Sequence, residues 1–587
     1  MQINNDTSKP CLVEARQGLS VLYQNRFLYS KYNPAANIER LVNSLEIKKD
    51  TLILCFSPIL GYGLESLQKK IPSGCFMLAV EANPHLVELY NIKALPTDIG
   101  FLGPDRLKNI YNILTKKNQI TDNGVRIPPP GSFKYCLRLD FSGAPALNQE
   151  EYQTIQHRAE LAVSNFWKNR LTLVKMGRLY HRNIIRNLAL VPSSYDVPAK
   201  QIDAPLLVLG AGPSADKTIE KLAALSQDFR KKLVVLAVDA VVPALLARKI
   251  KPDFVLALEC QYAIQQAYAT AHNSNLFLLA DLTSRPSILH PDTSYPSTDK
   301  QRISAATSKN HSPGKNCTGG KTAFFSTEFA STRFFERLFQ HNFIQQSLPP
   351  LGSVGITAME MALLLRKDET VPVYVSGLDF SFSMERSHCK ESFQTKNSFL
   401  KTNRLHSLGS YHCLQNTTTE KYQGKAGVVY SDQILSYYCR IFCDRFQYTT
   451  NAYDVGEMGL DLGIKRKSFV QVLDEITSMN KTDFDLDEVL QKNIHQTTFE
   501  EKNKRVLNFY SQEESMLKEL REGLSTGNIT KERILGILEE TDYLYLHFPD
   551  GYKATLDISF LKRVRSEIDF FLKDIEIGKS MLNQVHR

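Results

Sequence analysis

Continuous apolar segments alternate with helix-patterned segments in the first part of the chain. TLILCF, from residue 51, predicts a buried strand, LGYGLESLQKKI predicts a glycine turn entering a helix, and CFMLAVE predicts a second strand that ends in Glu81. This order is that of a nucleotide-binding βαβ unit. Ser57, Pro58 and Ile59 stand where glycines would let a phosphate approach. The pattern therefore leaves two interpretations open, a cofactor site and a purely structural Rossmann-like unit.

A second set of alternating strands and helices begins at Pro205. Strand LLVLG, loop AGPSAD, a helix, strand LVVLAVD, helix AVVPALLARKI and strand DFVLALE follow one another. This alternation predicts a parallel sheet with right-handed crossovers.

Helical periodicity dominates two other regions. Residues 150–190 contain no proline and predict one or two helices, followed by the Pro- and Ser-rich linker VPSSYDVPAKQIDAP. After Lys465 the apolar spacing is helical throughout. We therefore predict an α/β protein with four parts: a Rossmann-like N-terminal domain (1–148), a helical bridge and linker (149–204), a central parallel-sheet domain (205–464) and an all-helical C-terminal domain (465–587).

Composition narrows the function classes. Of 587 residues, 43% are hydrophobic and 23% charged, which excludes a disordered, collagen-like or disulfide-scaffold protein. The net charge of +9 suits an anionic small molecule, and without a strongly basic run we expect no nucleic-acid partner. The apolar segments are too short for a membrane span, and no signal-peptide pattern is evident, so we expect a cytoplasmic protein.

The ten cysteines are scattered and include no paired CxxC motif, which argues against a zinc site. Cys439 and Cys443 lie one helical turn apart, as expected either for a core stripe or for half of a metal site. We expect no bound metal.

The strongest chemical signal is the loop G-A-G-P-S, which follows strand LLVL and precedes a helix. Gly210 and Gly212 can take positive φ, which would let backbone N–H groups surround an anion. Pro213 stiffens the turn, and Ser214 can cap the helix whose positive end would face a phosphate. An empty structural turn is the alternative.

Acidic residues end the next two predicted strands. Asp239 ends LVVLAVD, and Glu259 ends DFVLALE. Because ligands of parallel sheets bind beyond the carboxyl ends of the strands, both side chains are expected at the same rim as the glycine loop.

A second small-residue loop, Gly352, Ser353 and Gly355, opens a helix that leads to strand PVYVSG. Asp379 follows that strand and would either orient a sugar or base hydroxyl or hold a loop by accepting backbone hydrogen bonds. His388 lies in the polar loop beyond it, where a histidine can exchange a proton near neutral pH. The sequence does not decide between His388, His406 and His412 as a base.

The ordered motifs AGPSAD, IKPDFVLALE, GSVGITAMEMALLL, VYVSGLDFSF and SHCKES resemble those of the motility accessory factors. That family shares a domain with the 6-hydroxymethylpterin pyrophosphokinases, and its motifs are similar to those of bacterial sialyltransferases. The resemblance covers residues 205–461 and extends more loosely to the flanking regions.

The resemblance implies a glycosyltransferase that moves a nonulosonic acid from its CMP-activated form to Ser or Thr hydroxyls of flagellin, as needed for filament assembly and motility. It implies His388 as the catalytic base and requires no cofactor, although a divalent cation is possible. The candidate nucleotide-sugar-binding residues are Gly210, Gly212, Pro213, Ser214, Asp239, Glu259, Gly352, Ser353, Gly355, Thr357 and Asp379.

The sequence leaves two other functions open. A Mg²⁺-dependent pterin pyrophosphokinase would need clustered carboxylates, for which Asp239 and Glu259 are candidates. A non-catalytic flagellin-binding module would need no intact site.

Overall fold

The computed structural model describes residues 9–90, 95–96, 98–115, 119–129, 131–271, 274–289, 321–327, 332–384, 386–405, 418–479, 483–492 and 498–584. The chain forms two compact units, Met1–Lys175 and Met176–Arg587. Strands, helices and parallel sheets confirm the predicted α/β class, whereas the division into four parts stays a prediction.

The first unit contains a small antiparallel sheet and a four-stranded parallel sheet with strand order β6-β5-β4-β7. Its strands are β1 (Cys11–Glu14), β2 (Leu19–Tyr23), β3 (Arg26–Phe27), β4 (Thr51–Phe56), β5 (Phe76–Val80), β6 (Gly100–Leu102) and β7 (Tyr135–Asp140). Its helices are α1 (Pro34–Ser44), α2 (Leu64–Lys70), α3 (Pro84–Val87), α4 (Pro104–Leu107) and α5 (Ile110–Thr115). The two strands predicted from residue 51 are therefore β4 and β5, which pair in parallel.

The predicted helical bridge is one continuous helix of 39 residues, α6 (Gln149–Asn187), within which the boundary between the units falls. A 3₁₀ segment, Leu188–Ser193, follows it. Asn183 and Asn187 of α6 donate side-chain N–H groups to the carbonyls of Thr283 (2.9 Å) and Leu282 (2.9 Å). These bonds connect the end of α6 to a segment that leaves the central sheet.

The second unit is built on a nine-stranded sheet with strand order β13-β12-β11-β10-β9-β8-β14-β17-β18. All of its strand pairs are parallel, as predicted from the alternation of strands and helices. Every residue of β8, β9, β10 and β14 is buried, as expected for a sheet covered on both faces. The strands are β8 (Leu206–Leu209), β9 (Val234–Val238), β10 (Phe254–Ala257), β11 (Phe277–Asp281), β12 (Lys321–Thr327), β13 (Ser347–Leu348), β14 (Val373–Ser376), β17 (Ala452–Asp454) and β18 (Lys465–Arg466).

A separate antiparallel hairpin, β15 (Glu420–Gly424) and β16 (Gly427–Ser431), precedes β17. The helices between strands are α7 (Ala215–Ala223), α8 (Gln227–Arg230), α9 (Val242–Ala247), α10 (Gln265–Tyr268), α11 (Pro286–Leu289), α12 (Arg333–Gln340), α13 (Val354–Leu365), α14 (Phe393–Lys401) and α15 (Gln433–Phe446).

The C-terminal region is helical, as predicted. Its helices are α16 (Phe469–Ser478), α17 (Leu486–Lys492), α18 (Phe499–Thr526), α19 (Lys531–Glu540) and α20 (Ile558–Gln584). Tyr510 of α18 donates its hydroxyl to the Ile185 carbonyl (2.6 Å), and Arg186 donates Nε to Asp574 of α20 (2.8 Å). The helical region is thus bound to the end of α6 by buried polar contacts. Among the described residues, no helix combines the length and apolar character that a membrane span requires.

One buried charge network joins α12 to the helical region. Arg337 is paired with Glu513, and Glu513 also accepts the Tyr543 hydroxyl (2.8 Å). Both charged side chains are almost fully buried. Replacing Arg337 therefore leaves a carboxylate without its counter-charge in a place that water does not reach.

We expect Arg337→Met to lower the free energy of unfolding by about 3–5 kcal/mol, as is typical when one partner of a buried pair is removed. The measurement is urea-induced unfolding. As a control, Arg533→Met removes an exposed pair with Glu519 and should cost less than about 1 kcal/mol. Equal losses in the two variants would contradict the assigned role of burial.

Candidate functional site

Acidic side chains follow five strands of the nine-stranded sheet at their carboxyl ends. Because neighbouring strands are parallel, these ends meet at one edge of the sheet. The acids are Asp281 at the end of β11, Glu259 after β10, Asp239 after β9, Asp379 after β14 and Asp454 at the end of β17. Asp239, Glu259 and Asp379 were predicted, whereas Asp281 and Asp454 were not.

The glycine loop after β8 lies directly against the segment after β14. Gly210 donates its N–H to the Ser376 carbonyl (2.8 Å), and Gly212 donates its N–H to the Gly377 carbonyl (2.8 Å). A Cβ atom at position 210 would stand 2.4 Å from the Gly377 oxygen, and one at 212 would stand 2.7 Å from Asp379 Cγ. The two glycines are therefore required by the close approach of two backbones.

This packing corrects the expected backbone conformation of the two glycines. Neither Gly210 nor Gly212 has a positive φ, whereas Gly377, on the opposite segment, does (φ +71°). The Gly212 N–H is also already bonded, so it is not turned toward an anion. The sequence pattern located the tight turn correctly but assigned the wrong physical reason to its glycines.

Asp379 holds the loop in place, which is one of the two roles considered for it. Its carboxylate accepts the Ser214 backbone N–H (2.8 Å) and the Ser214 hydroxyl (2.5 Å). Ser214 occupies the position before α7, yet its side chain makes no capping bond to this described helix, because its hydroxyl is bonded to Asp379. Burial raises the pKa of Asp379 to about 6.

A buried ion pair lies beside this contact. Lys425, in the turn between β15 and β16, places Nζ 2.8 Å from Asp454 Oδ2, and each side chain is only 1% exposed. Asp454 Oδ1 accepts the Gly456 N–H (2.9 Å). The strand AYD, which ends in an acid, carried the same signal as the predicted strand ends. Lys425 had no such signal, because its partner lies far along the chain.

Two other acids of the edge are held by hydrogen bonds within the protein. Asp281 is completely buried and accepts bonds from Thr283 N–H (2.7 Å) and the Thr327 hydroxyl (2.7 Å). Asp239 accepts the Ala240 N–H (2.7 Å). Burial, with a smaller contribution from nearby Glu259, raises the pKa of Asp239 to about 7. The strand FLLAD would have identified Asp281 by the same rule as the predicted strand ends.

No group of three or more His, Cys, Asp or Glu side chains arranged for a metal ion occurs among the residues that the structure describes. Cys439 and Cys443 both direct Sγ at the Asp461 carbonyl oxygen (3.2 and 3.6 Å).

The second small-residue loop adjoins the first through Leu378. Cβ atoms at Gly210 and Gly355 would both clash with Leu378 Cδ2, at 2.5 and 2.3 Å. Gly352 has a positive φ (+75°), and Thr357 is buried and donates its hydroxyl to the Ser353 carbonyl (3.1 Å). Within the described part of the chain, the Ser353 side chain makes no capping bond to α13. The start of α13 and the glycine loop thus lie on two sides of one leucine.

The His388 loop also packs against the glycine loop. Cys389 donates its N–H to the Ala211 carbonyl (2.8 Å), and Lys390 donates its N–H to Asp216 (2.9 Å). His388 itself is half-buried, and its Nδ1 lies 3.0 Å from the Ser387 hydroxyl. Desolvation lowers the pKa of His388 to about 4, so the imidazole is neutral at pH 7. His406 and His412 lie outside the described residues.

A cavity of about 250 Å³ opens over these contacts. Its wall includes Pro213 of the glycine loop, Asp379, Phe382, Met384, Tyr430 of β16 and Gly459. The rings of Phe382 and Tyr430 are nearly parallel (19°), with centroids 6.4 Å apart. The glycine loop and Asp379 thus border one small cavity, and the His388 loop packs against that glycine loop.

The acid that follows β5 in the first unit is engaged in hydrogen bonds within the protein. Glu81 is completely buried and accepts bonds from the Ser57 hydroxyl (2.5 Å), the Tyr152 hydroxyl (2.6 Å) and the Asn83 N–H (2.8 Å). Ser57 takes the left-handed conformation (φ +52°) at the turn where a glycine would otherwise be expected. These bonds favour the structural interpretation of this unit.

Three comparisons bear on this arrangement. Residues 182–385 match the family model described as 6-hydroxymethylpterin diphosphokinase MptE-like. An uncharacterized protein of Treponema pallidum (strain Nichols) is 31% identical over 96% of this chain and 94% of its own length. The structure of the MAf glycosyltransferase from Magnetospirillum magneticum AMB-1 is similar over 99% of this chain and 91% of that chain, with a TM-score of 0.50 and 14% identity.

The chain is thus an α/β protein with an MptE-like domain and the fold of that glycosyltransferase. The domain and fold matches bear out the resemblance to motility accessory factors that the motifs indicated. By its full-length similarity, the chain belongs to the same family as the Treponema pallidum protein.

The tight contact at Gly210 predicts a large effect from a single methyl group. Gly210→Ala should lower the free energy of unfolding by about 1–3 kcal/mol, because the new Cβ would overlap a backbone carbonyl that cannot move freely. Gly536→Ala is the control: that glycine is exposed in α19, where an added Cβ would meet no described atom within 4 Å, and the variant should gain about 1 kcal/mol. Urea unfolding measures both, and a neutral G210A variant would contradict the packing argument.

The burial of Asp379 predicts a specific pH dependence. Its pKa rises from 3.8 to about 6 on folding, so the folded chain holds the proton more tightly. The stabilisation from this proton is therefore complete below about pH 4 and is lost as the pH rises to about 6. Relative to Asp379→Asn, the wild type should lose roughly 3 kcal/mol of stability between those values.

Urea unfolding of both proteins at several pH values between 4 and 7 provides the measurement. Asp368→Asn is the control, since hydrogen bonds from Thr370 lower the pKa of that exposed carboxyl. Because its pKa is lowered on folding, Asp368 stabilises the protein at higher pH and loses this contribution as the pH falls. The stability difference between the wild type and Asp368→Asn should therefore change with pH in the direction opposite to that for Asp379→Asn. If the stability difference between wild type and variant changed in the same direction with pH for Asp379→Asn and Asp368→Asn, the raised pKa of Asp379 would be contradicted.

Proposed function

We propose that the protein is a glycosyltransferase that moves a nonulosonic acid from a CMP-activated donor to a Ser or Thr hydroxyl of flagellin, in the cytoplasm. One observation carries the proposal: the cavity at the carboxyl edge of the sheet is lined by the glycine loop and Asp379, with the His388 loop packed alongside, in a chain with the fold of the MAf glycosyltransferase. A donor and an acceptor hydroxyl would meet there.

The reaction needs a proton acceptor and a stabilised leaving group. The acceptor oxygen attacks the anomeric carbon, its proton passes to His388, and the bond from the anomeric carbon to the phosphate oxygen breaks, releasing CMP. The neutral imidazole of His388 is in the protonation state that a base requires. A bound anionic donor would raise its pKa back toward neutrality, which would make it a more effective base.

Of the candidate phosphate donors Gly212, Ser214 and Ser353, we favour Ser353. The N–H groups of Gly212 and Ser214 are occupied by Gly377 and Asp379. Ser353 and the first-turn N–H groups of α13 are better candidates, since the Ser353 side chain makes no capping bond to that described helix and the positive end of a helix favours an anion. This chemistry requires no cofactor or metal, although Asp239 and Glu259 are candidates for a divalent cation.

A second candidate, pterin diphosphokinase activity, is favoured by the domain match over residues 182–385 and by the carboxylates at the edge. Magnesium-dependent ATP consumption with a hydroxymethylpterin would support it, whereas CMP release from a CMP-nonulosonate would support the glycosyltransferase.

We expect His388→Asn to lower kcat for CMP release by about 10²- to 10⁴-fold, the usual contribution of a general base, with unchanged affinity for CMP. The assay combines the purified protein, a CMP-nonulosonate and flagellin, with intact-mass analysis of the flagellin. His85→Asn, which changes an exposed histidine of the first unit, is the control and should leave the rate unchanged. A fully active H388N variant would remove His388 from the mechanism.

A further inference from the structure

Lys425 is a buried cation that the proposed reaction does not use. It lies in the turn of the β15–β16 hairpin, and its side chain, like that of Asp454, is 1% exposed. Removing two charges from water is expensive, and a buried pair often adds little to stability compared with apolar residues of similar size. The presence of this pair beside the cavity therefore points to a role other than stabilising the fold.

The ammonium group is close to the contact that holds the glycine loop. A Cβ atom at Gly456 would lie 3.2 Å from Lys425 Nζ and 3.6 Å from the Ser214 hydroxyl oxygen. The ammonium group and the hydroxyl group therefore both lie beside Gly456. Lys425 also acts electrostatically on Asp379, favouring its ionised form. One buried ammonium thus pairs with Asp454 and also acts electrostatically on a second buried carboxylate, Asp379.

The hairpin that carries Lys425 forms one wall of the cavity. Its strand β16 contributes Val428, Val429 and Tyr430 to the lining. Phe382 donates its N–H to the Tyr430 carbonyl (2.8 Å), and Lys425 donates its own N–H to the Gly459 carbonyl (2.9 Å). The hairpin is therefore attached to the cavity rim along β16, through Tyr430, and at its tip, through Lys425.

An anionic ligand in this cavity meets charge of its own sign. Asp379 is part of the lining, and a nucleotide sugar with a phosphate and a carboxylate would bring further negative charge beside it. Repulsion between like charges in a poorly hydrated site is strong unless a cation offsets it. Within the described part of the chain, the Lys425 ammonium donates one hydrogen bond, to Asp454, although such a group can donate three.

We propose that Lys425 is a positioning residue for the anionic donor: its buried ion pair with Asp454 fixes the hairpin wall of the cavity, and its charge offsets Asp379 when the donor binds. This role rests on the proposed function, because it takes CMP and its sugar conjugates as the ligands of the cavity. Lys425 does not act on the reacting atoms directly; it acts through the cavity wall and through Asp379.

The test removes both charges together, because Lys425→Met alone would leave Asp454 unpaired. In the double variant K425M/D454L, we expect the melting temperature to stay near that of the wild type. The Kd for CMP, measured by calorimetry, and the KM for the CMP-nonulosonate should rise about 10- to 100-fold, with a smaller change in kcat. A loss of packing alone would not separate KM from kcat in this way.

Two further variants separate charge from packing. K367M/D203L removes an exposed lysine–aspartate pair of the same chemistry and should leave binding and turnover unchanged. Asp454→Asn keeps the ammonium group and a side-chain oxygen that can accept its hydrogen bond, so it should hold the hairpin wall and retain CMP binding within about threefold, even if the fold is weakened. If the double variant does not fold, D454N still tests the proposal. Loss of CMP affinity in folded D454N, which keeps the ammonium group, would contradict the role of the charge.

The outcomes distinguish the two proposals. Wild-type protein that neither binds CMP nor releases it from a CMP-nonulosonate would contradict the proposed function. Active wild-type protein, together with a K425M/D454L variant whose Kd and KM are unchanged, would contradict only the role of Lys425.

Discussion

The site depends on the contact between two backbone segments, the loop after β8 and the segment after β14. The two strands are neighbours in the sheet, and the segments that leave them are bonded to each other through Gly210 and Gly212. There is no room for a side chain between them. Because the backbones meet so closely, Asp379 can reach Ser214, Leu378 can fill the space toward α13, and the cavity acquires its floor.

Burial of polar groups gives this edge of the sheet its electrostatic character. Asp239, Asp281, Asp379 and Asp454 all have raised pKa values, because desolvation disfavours their charged forms. Hydrogen bonds from neighbouring N–H and hydroxyl groups, and the ammonium of Lys425, offset part of that cost. The edge is therefore less negative than a count of its acids indicates, which would reduce the repulsion that an anionic ligand meets there.

Apolar periodicity predicted the strands, the parallel order and the helical C-terminal region, because buried strands and amphipathic helices leave local patterns. The structure also has Asp239, Glu259 and Asp379 after the carboxyl ends of parallel strands, as expected, whereas their part in binding stays a prediction. The reason for Gly210 and Gly212 was wrong, since local sequence cannot show which distant segment approaches a loop. Lys425 was missed for the same reason: its meaning depends on Asp454, with which it pairs only in the folded chain.

The two facing glycines, Gly210 in the loop and Gly377 in the segment after β14, limit which substitutions this chain can accept. At Gly210 the obstacle is the Gly377 oxygen, and at Gly377 it is the Gly210 oxygen, 2.4 Å away in both directions. Neither position can accept a side chain in exchange for a smaller residue at the other, because what blocks each is main chain that every amino acid possesses. A second substitution at the facing position therefore cannot compensate for the first, and either glycine can be replaced only if the two strands move apart.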